Sequence, residues 1–482
     1  MKTYLAAYLA DPARGRYNLP DLLLHYLGIE TLDLPEKKNE QPDFNLRGPQ
    51  LAEEARHIFA LSEKLAEELE EQELDKLLSD IEMPLAEVLA RMEQQGMTVD
   101  SGYLRDLSSE ISSRLEELEG KIFLLAGEEF NLNSPQQLSK ILFDKLQLPE
   151  IRKTKTGRST DVKVLEELAY HHEIAALLIL YRQLSKLEGT YLSGLIELVD
   201  PQLQKIYTTF NQAATATGRL SSSDPNLQNI PIRLEEGRRI RRAFIPSAKG
   251  KIFFAADYSQ VELRILAHLS QDPILVEAFN TGQDIHRRTA AEVNNIDLED
   301  VTPIMREKAK AVNFGIIYGS SDYGLAQGLK IPRAEAKAYI DNYFELYRGV
   351  KDYMDQVIEQ AREQGYVTTM FNRRRYLPEI NSSNHNTRSF AERMALNTPI
   401  QGSAADIIKL AMLKIDRIIQ EGGFKAAMLL QIHDELLFEI EESELDFFAP
   451  MVQREMEQAY ELSVPLKVDL KWGCNWEELK KL

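Results

Sequence analysis

Across residues 51 to 78, Leu and Ala recur every three or four positions among Glu and Lys, the period of a helix that buries one face. Pro84 starts a second such segment, which ends near Gly96. Ser134-Pro135-Gln136-Gln137 has the form of a helix start, with an N-cap, a proline in the first helical position and a Gln placed for a capping box. Helices are therefore expected to dominate the first 200 residues, interrupted by a basic, glycine-containing loop from Thr154 to Thr160. From about residue 203 the period changes. Residues 203 to 210 and 252 to 256 read as strands, and the apolar runs 428 to 432 and 436 to 440 flank a short polar break in the manner of a hairpin. Residues 284 to 364 return to helical spacing, so the coarse picture is an antiparallel sheet interrupted by a helical insertion. No internal repeat or low-complexity tract is visible.

At 482 residues the chain exceeds what one hydrophobic core serves, and roughly two to four domains are expected. With 44% hydrophobic and 28% charged residues it reads as an ordinary soluble globular protein. No apolar run approaches the roughly 18 residues of a membrane span. The single cysteine, Cys474, cannot form an internal disulfide and reads as a small packing residue. The N-terminus lacks the apolar core of a secretory signal, so cytoplasmic residence is expected. A net charge of -19 argues on its face against a nucleic-acid partner. The cations are clustered, however: Arg152, Lys153, Lys155 and Arg158; Arg233, Arg238, Arg239, Arg241 and Arg242; Arg373, Arg374 and Arg375. Each run reads either as a solvated face or as part of a basic channel on an acidic body.

Two carboxylate-bearing segments carry candidate chemistry. Ile252 to Glu262 places Asp257 where a buried strand ends and a helix begins, and Ser259 and Glu262 sit at capping-box spacing. His433-Asp434-Glu435 occupies the break between two apolar strands. Turns favour Asp for backbone reasons, but the apolar runs on both sides would leave these carboxylates at buried strand tips. Magnesium takes one or two carboxylates plus substrate phosphates, so Asp257 and Asp434 would suffice, and no His- or Cys-rich cluster competes. Between them, Thr302-Pro303 opens a helix on which Arg306, Lys310, Phe314 and Tyr318 stand four apart, two cations and two aromatics on one drifting stripe. Like charges at that spacing need an anion, either Glu307 or a ligand such as a triphosphate; the other reading is an amphipathic helix with both aromatics in the core.

Six motifs, in order, are similar to the polymerase region of the bacterial DNA polymerase I family, family A: Thr215 to Ser222 (TATGRLSS), Asp224 to Pro231 (DPNLQNIP), Asp257 to Arg264, Arg306 to Gly319, Asn397 to Asp406, and His433 to Glu435. The resemblance covers about residues 80 to 482. It implies an α+β multidomain, right-hand polymerase fold with an antiparallel β palm at 201–283 and 376–482, helical fingers at 284–375 and a helical thumb at 81–200. It further implies template-directed extension of a primer by dNTPs. Asp257 and Asp434, with the Tyr258 carbonyl, would hold two magnesium ions on the order of 4 Å apart, for which manganese can substitute. Arg306, Lys310 and His286 would grip the triphosphate, Lys310 serving catalysis as well, and Gln260, Glu262, Phe314 and Tyr318 would complete the nucleotide pocket.

The same resemblance puts Arg219, Asn229, Asn397, Gln401 and His433 against primer and template, and Lys155 and Arg158 at the thumb tip on phosphates. Glu262 would exclude a 2'-hydroxyl, and Phe314 in place of Tyr implies poor use of dideoxynucleotides, relaxed by Phe314→Tyr. Residues 1–80 resemble a remnant of a 3'-5' exonuclease whose Tyr and metal-binding Asp would fall at His57 and Leu61. Leu61 cannot ligate a metal, so no proofreading is expected. The implied protein is a nucleoid-associated cytoplasmic monomer, with a single-subunit RNA polymerase and a non-catalytic primer-template binding protein as the rival readings.

Overall fold

The computed structural model describes residues 2–30, 44–154, 157–231 and 234–482. At its centre five antiparallel strands, β1 (Lys251–Tyr258), β2 (Ala426–Ile432), β3 (Glu435–Glu441), β4 (Val468–Gly473) and β5 (Lys480–Lys481), lie in the order β2-β3-β1-β4-β5. The middle strand is the one whose sequence runs apolar without alternation. Ile252 to Ala256 are all buried, as a strand covered on both faces requires. Phe254 meets Phe438 of β3 and Phe448 of the Leu445–Glu457 helix at 6.1 and 5.6 Å between ring centroids.

Between β1 and β2 the chain makes the expected helical excursion, from Val261–Ser270 through Ile285–Asn294, Pro303–Ile317 and Arg333–Leu346 to Arg348–Gln364. It returns along the 38-residue helix His385–Gly422. The anticipated hairpin exists with two residues in its turn: Ile432 pairs with Glu435, so Glu435 opens β3 rather than belonging to the break. Before β1, the region is helical as the period indicated, with Met83–Gln95 closed by Gly96 and Ser101–Ala126 capped by Asp100. Among the described residues three apolar clusters, one built chiefly on Leu5 to Ile81, one on Ile122 to Leu178 and the largest around the sheet, agree with a multidomain chain.

Several expectations are corrected. Residues 203 to 210 are not one strand: Lys205–Ile206 pairs with Met97–Thr98, and Thr209–Asn211 pairs with Ser221–Ser223. The chain changes partner at Tyr207 and Thr208, where the Thr208 hydroxyl donates to the Pro225 carbonyl at 2.8 Å. Ser134 caps its helix through the Gln137 amide N–H, but the Gln137 side chain accepts from the Asn131 amide at 2.8 Å instead of closing the box on Ser134. Cys474 is exposed, not a packing residue. The Arg373 to Arg375 run is no solvated face, because Arg373 is completely buried, bonded to Glu82 and to Asp406 at 2.6 Å. Three π-helical segments, Leu77–Glu82, Lys140–Lys145 and Leu187–Ser193, break the 3.6-residue period and left no mark in the sequence pattern.

Candidate active site

The sheet register brings the acidic residues together. Glu435 of β3 and Asp469 of β4 are the direct neighbours of Asp257, one on each side, and Asp434 sits in the turn just before Glu435. The Tyr258 amide donates to the Asp434 carbonyl at 3.1 Å, which lashes the turn to the end of β1. His433 takes a positive φ of 55°, as a two-residue hairpin turn demands. Asp257 and Asp434 are thus brought side by side although 177 positions (434 − 257) separate them in the chain.

These two carboxylates line a cleft of about 560 Å³ together with Arg219, Tyr258, Gln260, Glu262, His286, Arg306, Lys310, Phe314, Tyr318 and His433. These are residues singled out from the sequence; Asp469, which also lines the cleft, is not. A second cleft of about 620 Å³ shares Asp257, His433 and Asp434 and extends to Asn229, Arg241 and Glu435. The carboxylates therefore stand between two openings.

Burial dominates their electrostatics. Burial pushes the Asp434 carboxyl up to about 6, with Arg219 opposing and Glu262 and Asp257 adding to the rise. Burial raises Asp257 too, against Lys471 and with Asp469, and raises Glu435. Among the described residues neither Asp257 nor Asp434 has a side-chain hydrogen bond or ion pair.

The facing wall is the Pro303–Ile317 helix, which Thr302 caps through the Met305 amide. Phe314 and Tyr318 stack at 6.4 Å with rings 23° apart, and His286 lies 6.0 Å from Phe314. Lys310 is exposed and, among the described residues, unpartnered. Arg306 is held not chiefly by Glu307, at 3.5 Å, but by Asp284, whose Oδ2 accepts from Nε at 2.7 Å. Asp284 also caps the Ile285–Asn294 helix through the His286 and Arg287 amides.

The capping reading of Ser259 and Glu262 is overturned. Gln260 is the N-cap residue, at φ 57°, and no side chain caps that helix. Glu262 is buried and accepts from Arg219 at 2.7 Å and from the Tyr318 hydroxyl at 2.8 Å. Asn397 and Gln401 lie on the His385–Gly422 helix and line neither cleft; the Asn397 Oδ1 is buried without a partner. Asn229 meets the second cleft, its carbonyl accepting from Tyr191 at 2.7 Å. Arg158 lines neither cleft and is paired with Asp144 at 2.7 Å and Glu150 at 3.3 Å. Lys155 and Arg233 lie outside the described residues.

The residues that sequence reasoning missed are Asp284, Asn313 and Asp469; Arg241, named only as one of a basic run, lines the second cleft. Asp284 precedes a helix and looks like a cap; Asp469 alternates with apolar neighbours like any solvated strand position.

The model of DNA polymerase family A matches residues 101–478. The chain belongs to DNA polymerase family A. DNA polymerase I of Geobacillus stearothermophilus is 51% identical over 481 residues, 99% of this chain and 55% of the relative. That of Bacillus subtilis is 49% identical over 484 residues, again 99% and 55%. The chain thus spans about half the length of the curated relatives it matches. A solved structure described as the POL domain of Pol1 from M. smegmatis in complex with DNA primer-template and dNTP superposes with a TM-score of 0.92 at 43% identity, covering 99% of this chain and 82% of that one. The architecture is the family's right-hand polymerase fold, an antiparallel palm sheet with helical fingers and thumb. Members of family A use divalent metal ions. No helix among the described residues is long and apolar enough to cross a membrane.

Proposed function

We propose that this chain is a DNA-directed DNA polymerase that extends a primer 3'-end with dNTPs on a DNA template and releases pyrophosphate. The observation that carries this reading is that Asp257 and Asp434, at one end of the central sheet, line a common cleft with Arg306 and Lys310. In the reaction the primer 3'-oxygen bonds to the α-phosphorus, and the bond from phosphorus to the bridging oxygen of the leaving pyrophosphate breaks.

The donor set suits magnesium: hard carboxylate oxygens, largely withdrawn from water and without ion pairs among the described residues. Asp257, Asp434 and the Tyr258 carbonyl would hold two such ions. When bound, the ions supply charge stabilisation for the attacking and leaving oxygens of an in-line displacement.

The rest falls to the protein's own groups. Lys310, exposed and without a partner among the described residues, is available to neutralise the leaving pyrophosphate, and Arg306 becomes available once the triphosphate replaces Asp284. The Phe314 ring offers a stacking surface for the sugar and base, with Tyr318 beside the template. Glu262 and Gln260 line the same cleft, and Glu262 is read as the residue that excludes a 2'-hydroxyl. The second cleft, lined by His433 and Asn229, suits the primer end; Arg219 of the first cleft and Asn397 and Gln401 of the His385–Gly422 helix are read as further primer and template contacts. Lys155 and Arg158 would touch duplex phosphates at the thumb tip.

We assign the thumb to residues 81–200, the palm to 201–283 and 376–482, and the fingers to 284–375. Residues 1–80 are read as an exonuclease remnant without proofreading. Leu61 is fully buried in the N-terminal core, which supports a packing role there. The enzyme is read as a monomer acting at the nucleoid.

Incorporation of each labelled dNTP and NTP on a primed DNA template tests the proposal, with the Asp257→Ala, Asp434→Ala double variant as control. Deoxynucleotide incorporation that the control abolishes is expected. Preferred NTP incorporation would mean an RNA polymerase, and primer-template binding without incorporation would mean a non-catalytic binding protein.

A further inference from the structure

On the reading that the cleft binds a dNTP, we propose that Asn313 fixes the tautomer of His286, so that a neutral imidazole presents an Nε2–H donor to the incoming triphosphate. His286 stands in the first turn of the Ile285–Asn294 helix and lines the cleft beside Arg306 and Lys310, yet its side chain is almost wholly buried. Its Nδ1 lies 2.9 Å from the amide Nδ2 of Asn313, a buried residue on the inner side of the helix that carries both cations.

Which way the Asn313 amide faces follows from its second neighbour. Nδ2 is also 3.3 Å from the Thr289 hydroxyl, and Thr289 donates its own proton to the Ile285 carbonyl at 2.8 Å, so that at its third neighbour, the Tyr347 hydroxyl 3.1 Å away, it accepts. With that proton committed, Thr289 can only accept, so the group aimed at it must be the amide NH2. The same NH2 then points its other proton at His286. Turning the amide over would set its carbonyl against a committed hydroxyl and leave two buried donors unpaired. The observed orientation leaves one buried acceptor, Oδ1, without a partner.

An Nδ1 that accepts a hydrogen bond carries no proton, so in the neutral ring the proton is on Nε2. Among the described residues Nε2 has no partner. Burial holds the imidazole's pKa down to about 4, with Arg306 and Lys310 lowering it further against Asp284, so the ring stays neutral at physiological pH. A neutral donor beside two cations binds an anion directionally without adding a third like charge. The amide supports this as a carboxylate could not: an acceptor at position 313 would call the proton to Nδ1. Asn313 is a positioning residue here, acting on the nucleotide only through His286.

The test reads the tautomer directly. The protein has 8 histidines; selective 15N labelling, with the His286 resonances assigned by their loss in His286→Gln, reports both ring nitrogens of the enzyme without DNA or nucleotide. Nδ1 is expected far downfield, as an unprotonated ring nitrogen, with Nε2 at the protonated position. The reverse pattern, or an average of the two, would overturn the proposal. Because this needs no turnover, it stands or falls separately from the polymerase reading. In primer extension, Asn313→Leu is expected to raise the KM for each dNTP severalfold, more than it lowers kcat, and to have no further effect on KM in the His286→Gln background. An equal rise in both backgrounds would contradict an action through the imidazole.

Discussion

The hydroxyl of Tyr318 donates to Glu262 at 2.8 Å, which ties the end of the Pro303–Ile317 helix to the first turn after Asp257. The other Glu262 oxygen accepts from Arg219 at 2.7 Å, so one buried carboxylate holds an aromatic of the facing wall and a cation of the cleft lining at once. Removing it both opens space at the floor of the cleft and releases these two partners. Glu262→Ala is expected to lose at least about tenfold in discrimination against ribonucleotides, roughly 1.4 kcal/mol of differential barrier. Competition between dNTP and NTP in primer extension measures it, and unchanged sugar discrimination would refute the role.

Asp284 occupies the Arg306 guanidinium that the triphosphate is proposed to take. Asp284→Asn keeps a good N-cap for the Ile285–Asn294 helix while withdrawing the charge. Both partners are more than a third exposed, 37% each, so the pair contributes at most about 1 kcal/mol. The dNTP KM is expected to fall by up to about fivefold, less at high salt. A KM that rises would mean that Asp284 helps to orient the bound nucleotide instead.

With its folded-state pKa raised from 3.8 to about 6, Asp434 binds more protons in the native protein than in the unfolded chain between those values. Stability must therefore fall as pH rises through that window, and the metal-free protein carries the penalty at neutral pH. Asp434→Asn is expected to stabilise metal-free protein by up to about 3 kcal/mol at pH 7 and by nothing below about pH 4. Denaturant unfolding in chelator reads it; a variant no more stable than the wild type at pH 7 would show that the carboxylate is not strained.

In the interior, Glu82 receives Arg373 and, at 2.8 Å, Lys409, all three side chains almost wholly inaccessible to solvent. Burial raises the Glu82 carboxyl, but Lys409 and Arg373 outweigh it and bring it from 4.5 down to about 2. Its contribution is thus present above about pH 4.5 and lost as pH falls toward 2. Glu82→Gln leaves buried cations short of an anion and is expected to cost about 3 to 5 kcal/mol at neutral pH. The deficit should narrow as the pH is lowered toward the folded-state pKa, in urea unfolding followed against pH.

How much of this was legible in the chain depended on whether a residue's job was local. The strand of Asp257, the hairpin around Asp434 and the capped helix carrying Arg306, Lys310 and Phe314 each announce themselves within a dozen residues, through an apolar run, a polar break or a Thr-Pro start. Their assembly into one cleft was reached through family resemblance, since period and spacing say nothing of residues far apart. Glu262 was ambiguous because capping-box spacing offered a local explanation that its distant partners, Arg219 and Tyr318, displace. Arg373 read as one of a basic surface run because the acids that bury it, Glu82 and Asp406, come from remote segments. Asn313 carried no signal, for a single amide inside a helix acquires meaning only from the imidazole it meets.

The central claim is that Asp257 and Asp434 act together in nucleotidyl transfer. Single-turnover extension of a primed template by one dNTP, in magnesium, tests it most directly when Asp257→Asn and Asp434→Asn are compared with the unaltered enzyme at saturating primer-template. Loss of several kcal/mol of transition-state charge stabilisation predicts a rate on the order of a thousandfold lower or less for either variant, with primer-template still bound. Extension by either variant within about tenfold of the unaltered enzyme would contradict the account.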